Sequence, residues 1–195
     1  LYAAQGAFTS FGATTNWRLV GDVANGGLSV MAPDGWDVTV YQRTSGVGNL
    51  ADAEATIVTV GQQSWVRREV APYINYMQTG GDGHFFSGAT GARNVANRTV
   101  PNMTIGTDWN NYVVEAKGTM YVPAAGQYTF GVNSDDGFRF QIINPNRNSP
   151  TASFSTATNA TIITTNTSND TFQFDGGRGP ADSFAVANIT QPGYY

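Results

Sequence analysis

The stretch that decides the fold is "YTFGVNSDDGFRFQI", residues 128–142. Large apolar side chains occupy every second position on either side of its central "SDDG". These positions are Tyr128, Phe130 and Val132 before the centre and Phe138, Phe140 and Ile142 after it. Because alternate residues of a β-strand share one face, each run has one apolar face and one polar face. The stretch therefore predicts two β-strands joined by a tight turn.

The turn contains two adjacent carboxylates, Asp135 and Asp136, followed by Gly137. Like charges repel, and neighbouring side chains in a strand would point to opposite faces. A cis peptide bond between them would let both carboxylates converge at the tip of the turn, at a cost of ~2.5–4 kcal/mol. A bound divalent cation would offset this cost and the repulsion. The alternative is an ordinary hairpin turn, since Ser, Asp and Gly are common turn residues that need no metal.

Short alternating runs recur along the chain between Gly, Pro and Asn residues. They are "WDVTVYQR", "NYVVEAKGTMYVP" (one long strand or two), "TFQFDGG" and "DSFAVANIT". Many short strands of this kind predict an all-β fold, an antiparallel β-sandwich. "NLADAEATIV", with Asn49 as the N-cap, predicts one short helix whose β-branched end is alternatively the start of a strand. Residues 144–171, rich in Thr, Ser and Asn, predict either a long polar loop or a hairpin.

The composition excludes several function classes. Only 12% of the 195 residues are charged, the net charge is −4, and no basic cluster is present, which argues against nucleic-acid binding. No apolar run is long enough for a transmembrane segment. Without cysteine and with a single histidine, thiolate and multi-histidine metal sites are excluded, so a metal would be a hard cation bound by oxygens.

The central segment resembles the PA14 domain, a β-sandwich of secreted toxins, glycosidases, yeast adhesins and bacterial surface proteins. The matching residues are Gly118, Val122, Pro123, Gly126, Tyr128, Phe130, Ser134, Asp135, Asp136, Gly137 and Phe138. Weaker similarity in the flanks extends the PA14-like domain to residues 33–195, and residues 1–32 form an N-terminal extension. Family members continue into a final apolar strand, so this chain is expected to lack that strand.

The resemblance implies a site and a function. In lectin-type PA14 domains an Asp-Asp pair holds Ca²⁺, and the ion binds sugar hydroxyls. The same role is expected here for Asp135 and Asp136, with Asp175 as a third carboxylate. Separately, Asp82 and His84 in "GGDGHF" form a second polar loop and are candidate ligand-binding residues. The chain is then a secreted or cell-surface module for Ca²⁺-dependent binding of carbohydrate or glycoconjugates in adhesion. No catalytic residues are recognisable, so we do not expect an enzyme.

The alternative function is structural, as a subunit of an extracellular fibre, sheath or matrix without a small-molecule ligand. A sandwich that lacks one strand has open edges, and another copy of the chain would fill the slot by strand addition. The N-terminal runs "NWRLV" and "GLSVM" are candidate donor strands, with "DVANGG" as a turn between them. The same segment folding back onto its own domain is the simpler outcome.

The chain contains six Asn-x-Ser/Thr motifs, which make it a candidate glycoprotein. They begin at Asn97, Asn102, Asn159, Asn166, Asn169 and Asn188. A surface rich in Asn and Thr also produces such motifs by chance, so both interpretations stay open.

Overall fold

The computed structural model describes residues 19–22, 27–30, 35–77, 97–104, 106, 109–143, 151–165 and 168–195. Strands dominate these residues. In chain order they are β1 Leu19–Asp22, β2 Gly27–Val30, β3 Trp36–Arg43, β4 Gln63–Ala71, β5 Tyr76–Met77, β6 Arg98–Thr99, β7 Tyr112–Lys117, β8 Tyr121–Val122, β9 Gly126–Ser134, β10 Phe138–Gln141, β11 Ala152–Thr158, β12 Thr161–Thr165, β13 Ser168–Phe174, β14 Ala181–Ile189 and β15 Gly193–Tyr194. One α-helix, α1 Leu50–Val58, is present in the described part of the chain. The predicted all-β class is confirmed.

Two three-stranded antiparallel sheets form the centre of the sandwich. Their strand orders are β11-β14-β9 and β10-β13-β12. A buried cluster packs between them, and its largest members are Phe130, Phe138, Phe140, Phe154 and Phe172. The rings of Phe154 and Phe172, which come from opposite sheets, are 4.9 Å apart between centroids and meet edge to face. The alternation around the acidic turn therefore produces the core that it predicted.

The third sheet, of order β4-β3-β7, is covered on both faces of its central strand β3. Val38 and Val40 belong to a second buried cluster, whereas Tyr41 packs against Ala53 of α1 on the other face. Trp36 contacts both the second cluster and the phenylalanine core, so it connects the two packing units. A Cβ on Gly118 would be 2.9 Å from the Trp36 ring, which explains the glycine between β7 and β8.

Helix α1 begins as predicted, since the Asn49 side chain accepts a hydrogen bond from the backbone N–H of Asp52 at 2.9 Å. It ends at Val58, so the β-branched residues at its end are helical and do not belong to a strand. Leu50 and Ala53 are buried, and Ile57 packs at the edge of the cluster that contains Ala53. Glu54 forms an ion pair with Arg139 of β10, which fixes the helix beside the sandwich.

The remaining sequence alternatives are also decided. The run at 111–123 is two strands, β7 and β8, and the described part of 144–171 forms strands rather than a long loop. β1 and β2 pair with each other, with Leu19 opposite Val30, so each already has one strand partner. Exchange of this segment between copies stays a prediction.

Among the described residues, no helix is long and apolar enough to cross a membrane.

Candidate cation-binding turn

The acidic turn connects the two sheets of the sandwich. β9 belongs to one sheet and β10 to the other, and Asp135 and Asp136 occupy the bend between them. Both aspartates are exposed, while Ser134 before them and Phe138 after them are buried. The prediction that the pair lies at the tip of a turn is confirmed.

The cis peptide bond through which both carboxylates would converge is not found. No cis peptide bond is present among the described residues, so the bond between Asp135 and Asp136 is trans. The chain turns instead through Asp136, whose φ of 69° is in the left-handed region that Asp tolerates better than most residues. At Gly137, an added Cβ would be 3.0 Å from the Phe174 carbonyl oxygen, so the turn packs closely against the end of β13.

The segment after β13, residues 175–180, holds the turn through its backbone. The N–H of Asp136 donates to the carbonyl oxygen of Arg178 at 2.9 Å. In return, the N–H of Arg178 donates to Oδ1 of Asp136 at 3.3 Å. These reciprocal hydrogen bonds fix the backbone of Asp136 and the direction of its carboxylate.

The Arg178 side chain reaches beneath the turn. Its Nη2 donates to Ser134 Oγ at 2.8 Å, and Ser134 Oγ donates to the carbonyl oxygen of Asp136 at 2.9 Å. Nη1 donates to Ser183 Oγ at 3.0 Å on β14, and the guanidinium lies 4.3 Å from the centroid of the Phe174 ring. Arg178 therefore joins the acidic turn, β13 and β14. Sequence reasoning missed this residue; its only signal was an arginine between glycines in "GGRGP".

The electrostatics of the turn are unfavourable for two negative charges. Burial, and then the neighbouring charge of Asp136, raise the pKa of Asp135. Burial together with the charges of Asp135 and Asp136 raises the pKa of Tyr112 to about 12, so the negative charge of the turn extends to this neighbouring side chain. Neither aspartate has an ion-pair partner within the described part of the chain. The turn therefore carries two adjacent carboxylates that no described side chain neutralises in an ion pair.

Asp175 has a different contact from the one expected. Its Oδ1 accepts a hydrogen bond from the backbone N–H of Leu50 at 2.8 Å, so it caps the first turn of α1 together with Asn49. Across the described ranges, no group of three or more His, Cys, Asp or Glu side chains is arranged to hold a metal. Asp135 and Asp136 follow each other in the turn, and the described residues add no third carboxylate to them.

The other predicted site residues are placed only in part. Asp82, His84 and Asn166 lie outside the described residues. Among the remaining sequon asparagines, Asn102 and Asn159 adopt positive φ, of 66° and 55°. Those exposed to solvent are Asn97, Asn102, Asn159 and Asn169, whereas Asn188 is half-buried and accepts a hydrogen bond from Gln127. Their glycosylation stays a prediction.

The fold and the turn define an all-β sandwich module with an exposed acidic loop between its two central sheets. The family model of the PA14 domain matches residues 102–147, which include β7 to β10 and the acidic turn. The resemblance seen in the sequence is confirmed for this segment, which is about a quarter of the chain. No curated protein and no solved structure matches the chain.

Proposed function

We propose that this chain is a PA14-type binding module that holds Ca²⁺ at Asp135 and Asp136 and binds carbohydrate hydroxyl groups through the ion. One observation carries the proposal. Two adjacent carboxylates are exposed on a turn whose backbone is fixed by Arg178, and neither has an ion-pair partner among the described residues. Burial, and then the charge of Asp136, raise the pKa of Asp135, and a cation there would offset the second of these causes.

The donor chemistry of the turn fits a hard cation. Ca²⁺ takes six to eight oxygen ligands and accepts carboxylates, carbonyls and water in a flexible arrangement. Asp135 and Asp136 would supply the negative charge, while water and ligand hydroxyl groups would complete the shell. With only two carboxylates we expect weak binding, with a dissociation constant of about 10⁻⁴–10⁻³ M, the range of extracellular Ca²⁺ modules.

Carbohydrate is the ligand class that suits an open ion of this kind. A vicinal pair of sugar hydroxyl groups can replace two water molecules without bringing new charge. A surface with only 12% charged residues is also suited to a neutral, hydroxyl-rich partner. Such a module would act in adhesion at the cell surface or after secretion, as a binding protein and not as an enzyme.

Titration calorimetry tests the metal site. We expect Ca²⁺ to bind the wild-type protein more tightly than Mg²⁺, and we expect Asp135→Ala and Asp136→Ala to abolish binding while the far-ultraviolet circular dichroism is retained. Asp37→Ala, which removes an exposed carboxylate from β3 in another sheet, is the matched control. Unchanged Ca²⁺ affinity in both turn variants would rule out the site.

Glycan-array binding with Ca²⁺ and with excess chelator then tests the carbohydrate step. We expect sugar binding that disappears with chelator and in both turn variants. If Ca²⁺ binds but no glycan is retained, the metal site stands and the carbohydrate function fails.

A further inference from the structure

Two tyrosine rings lie against each other on the surface, away from the acidic turn. Tyr121 of β8 is directly opposite Tyr194 of β15 in the antiparallel ribbon that these strands form. The ring centroids are 5.0 Å apart, and the ring planes are inclined by 50°. Tyr121 is 50% exposed and Tyr194 is 47% exposed, so solvent reaches both rings.

The hydrogen-bond pattern of the ribbon explains why the rings are so close. Met120 and Tyr195 exchange both of their backbone hydrogen bonds, at 2.8 Å each, so they form a hydrogen-bonded pair. Because such pairs alternate along an antiparallel ladder, Tyr121 and Tyr194 occupy the next, non-hydrogen-bonded position, where facing side chains approach most closely. The register of the backbone therefore places the two rings next to each other in a tilted contact.

We propose that Tyr121 and Tyr194 form a site of oxidative tyrosine–tyrosine cross-linking within one chain. The proposal goes beyond the binding function and does not depend on it. β15 has only two residues, and the chain contains no cysteine with which to secure it by a disulfide. A carbon–carbon bond between the two rings would join β15 covalently to β8 and close the chain from residue 121 to residue 194.

The reaction requires a one-electron oxidant, such as a haem peroxidase with hydrogen peroxide. Each phenol loses one electron and one proton and becomes a phenoxyl radical. The two radicals couple between ring carbons ortho to the oxygens, and each ring regains its aromaticity when the hydrogen on the coupled carbon moves to the oxygen. The protein loses two hydrogen atoms in total, while one peroxide takes up the two electrons and two protons and becomes two water molecules.

The experiment treats dilute wild-type protein with a haem peroxidase and hydrogen peroxide. We expect dityrosine fluorescence in a product that stays monomeric on a denaturing gel, an intact mass lower by two hydrogen atoms, and one cross-linked peptide pair that contains Tyr121 and Tyr194. We also expect a raised melting temperature, because a cross-link restricts the unfolded chain.

Tyr121→Phe and Tyr194→Phe keep the ring contact but remove one phenolic hydroxyl group. Because phenylalanine does not form a phenoxyl radical, the dityrosine fluorescence and the mass change should disappear. Tyr128→Phe is the matched control, since its hydroxyl donates to the Ala124 carbonyl oxygen and its ring is not in the pair. Undiminished cross-linking in either pair variant would overturn the proposal. So would a product consisting only of covalent dimers, or of monomers that gain oxygen without forming the ring–ring bond.

Discussion

The phenylalanine core and the acidic turn are adjacent in sequence and opposite in character. Phe138 and Phe140 are packed between the two central sheets, whereas Asp135 and Asp136, a few residues earlier, are exposed and repel each other. The core residues satisfy the ordinary requirement of burying apolar surface. The turn buries no large apolar side chain, and the repulsion between its two carboxylates disfavours the folded state.

The difference shows how a stable scaffold supports an unfavourable loop. The strands on either side of the turn are fixed in two different sheets, and the Arg178 backbone fixes the turn between them. Charge repulsion can therefore persist at the tip without unfolding the molecule, because the elements on both sides of the turn are rigid. Mutations should accordingly separate stability from metal binding.

The largest effect on stability should come from the core. Phe154 is 1% exposed and contacts the rings of Phe130, Phe140 and Phe172, so Phe154→Ala should lower the free energy of unfolding by about 3–5 kcal/mol. Ca²⁺ affinity should be retained as long as the variant is folded, because Phe154 belongs to the buried core whereas Asp135 and Asp136 are exposed. Chemical denaturation and calorimetry measure the two quantities.

Val58→Ala is the control for this variant, because Val58 is 78% exposed and its truncation should change stability by about 0.5 kcal/mol or less. Equal stability of the Phe154 and Val58 variants would contradict the position of the core. Loss of Ca²⁺ affinity in folded Phe154→Ala would show that core and turn are not separable.

The second effect concerns the residue that joins the two regions. Arg178→Lys keeps the positive charge but lacks the two guanidinium nitrogens that donate to Ser134 and Ser183. We therefore expect the free energy of unfolding to fall by about 1–3 kcal/mol. Because Ser134 in turn donates to the Asp136 carbonyl oxygen, Ca²⁺ affinity should fall as well. Arg68→Lys on β4, an exposed position, is the control and should change neither quantity. If Arg178→Lys is as stable as wild-type protein, these hydrogen bonds do not contribute to stability.

The same contrast marks what the sequence could predict. Alternation with period two is a local property, so the strands around the acidic turn and the faces they bury followed from residues 128–142 alone. The N-cap at Asn49 was equally local, because the capped N–H belongs to Asp52 three residues later. These interpretations needed no knowledge of which strands pair.

The long-range hydrogen bonds of Arg178 and Asp175 could not be predicted from local sequence patterns. Arg178 reaches Ser134 across 44 positions, and Asp175 reaches the Leu50 N–H across 125. Nothing near either residue in sequence indicates these partners, which depend on how the sheets stack. The cis peptide bond considered between Asp135 and Asp136 is absent, and the backbone turns instead at Asp136 with a positive φ.

The third prediction separates a helix cap from a metal ligand. Asp175→Ala should cost about 1 kcal/mol, because the Leu50 N–H loses its acceptor, and Asp175→Asn should cost less, because an amide oxygen still accepts. Neither variant should change Ca²⁺ affinity. Thermal denaturation and calorimetry on both variants decide the role. A loss of Ca²⁺ affinity in Asp175→Asn, with stability kept, would restore Asp175 as a third ligand.

The smallest effect should come from the turn itself, and its sign is diagnostic. Because the folded state raises the pKa of Asp135, the ionised carboxylate is disfavoured there, and wild-type protein gains stability as pH falls through that raised pKa. Asp135→Asn removes the charge, so without metal it should be slightly more stable than wild type at neutral pH. The difference should vanish in acid, where Asp135 is protonated.

Asp52 supplies a control of opposite sign. The hydrogen bond from Arg43 lowers the pKa of Asp52, so its contribution to stability is present at neutral pH and is lost as pH falls through the lowered pKa. Asp52→Asn should therefore be less stable than wild type at neutral pH and equal to it in strong acid. Melting temperatures across this pH range, with chelator and with Ca²⁺, measure both variants.

Ca²⁺ should make wild-type protein more stable than Asp135→Asn, the reverse of the order with chelator, because the ion stabilises only a turn that can bind it. The order of wild-type protein and Asp52→Asn should stay the same. If Asp135→Asn is the less stable protein even with chelator, the two carboxylates are not in conflict, and the reason for a cation at this turn disappears.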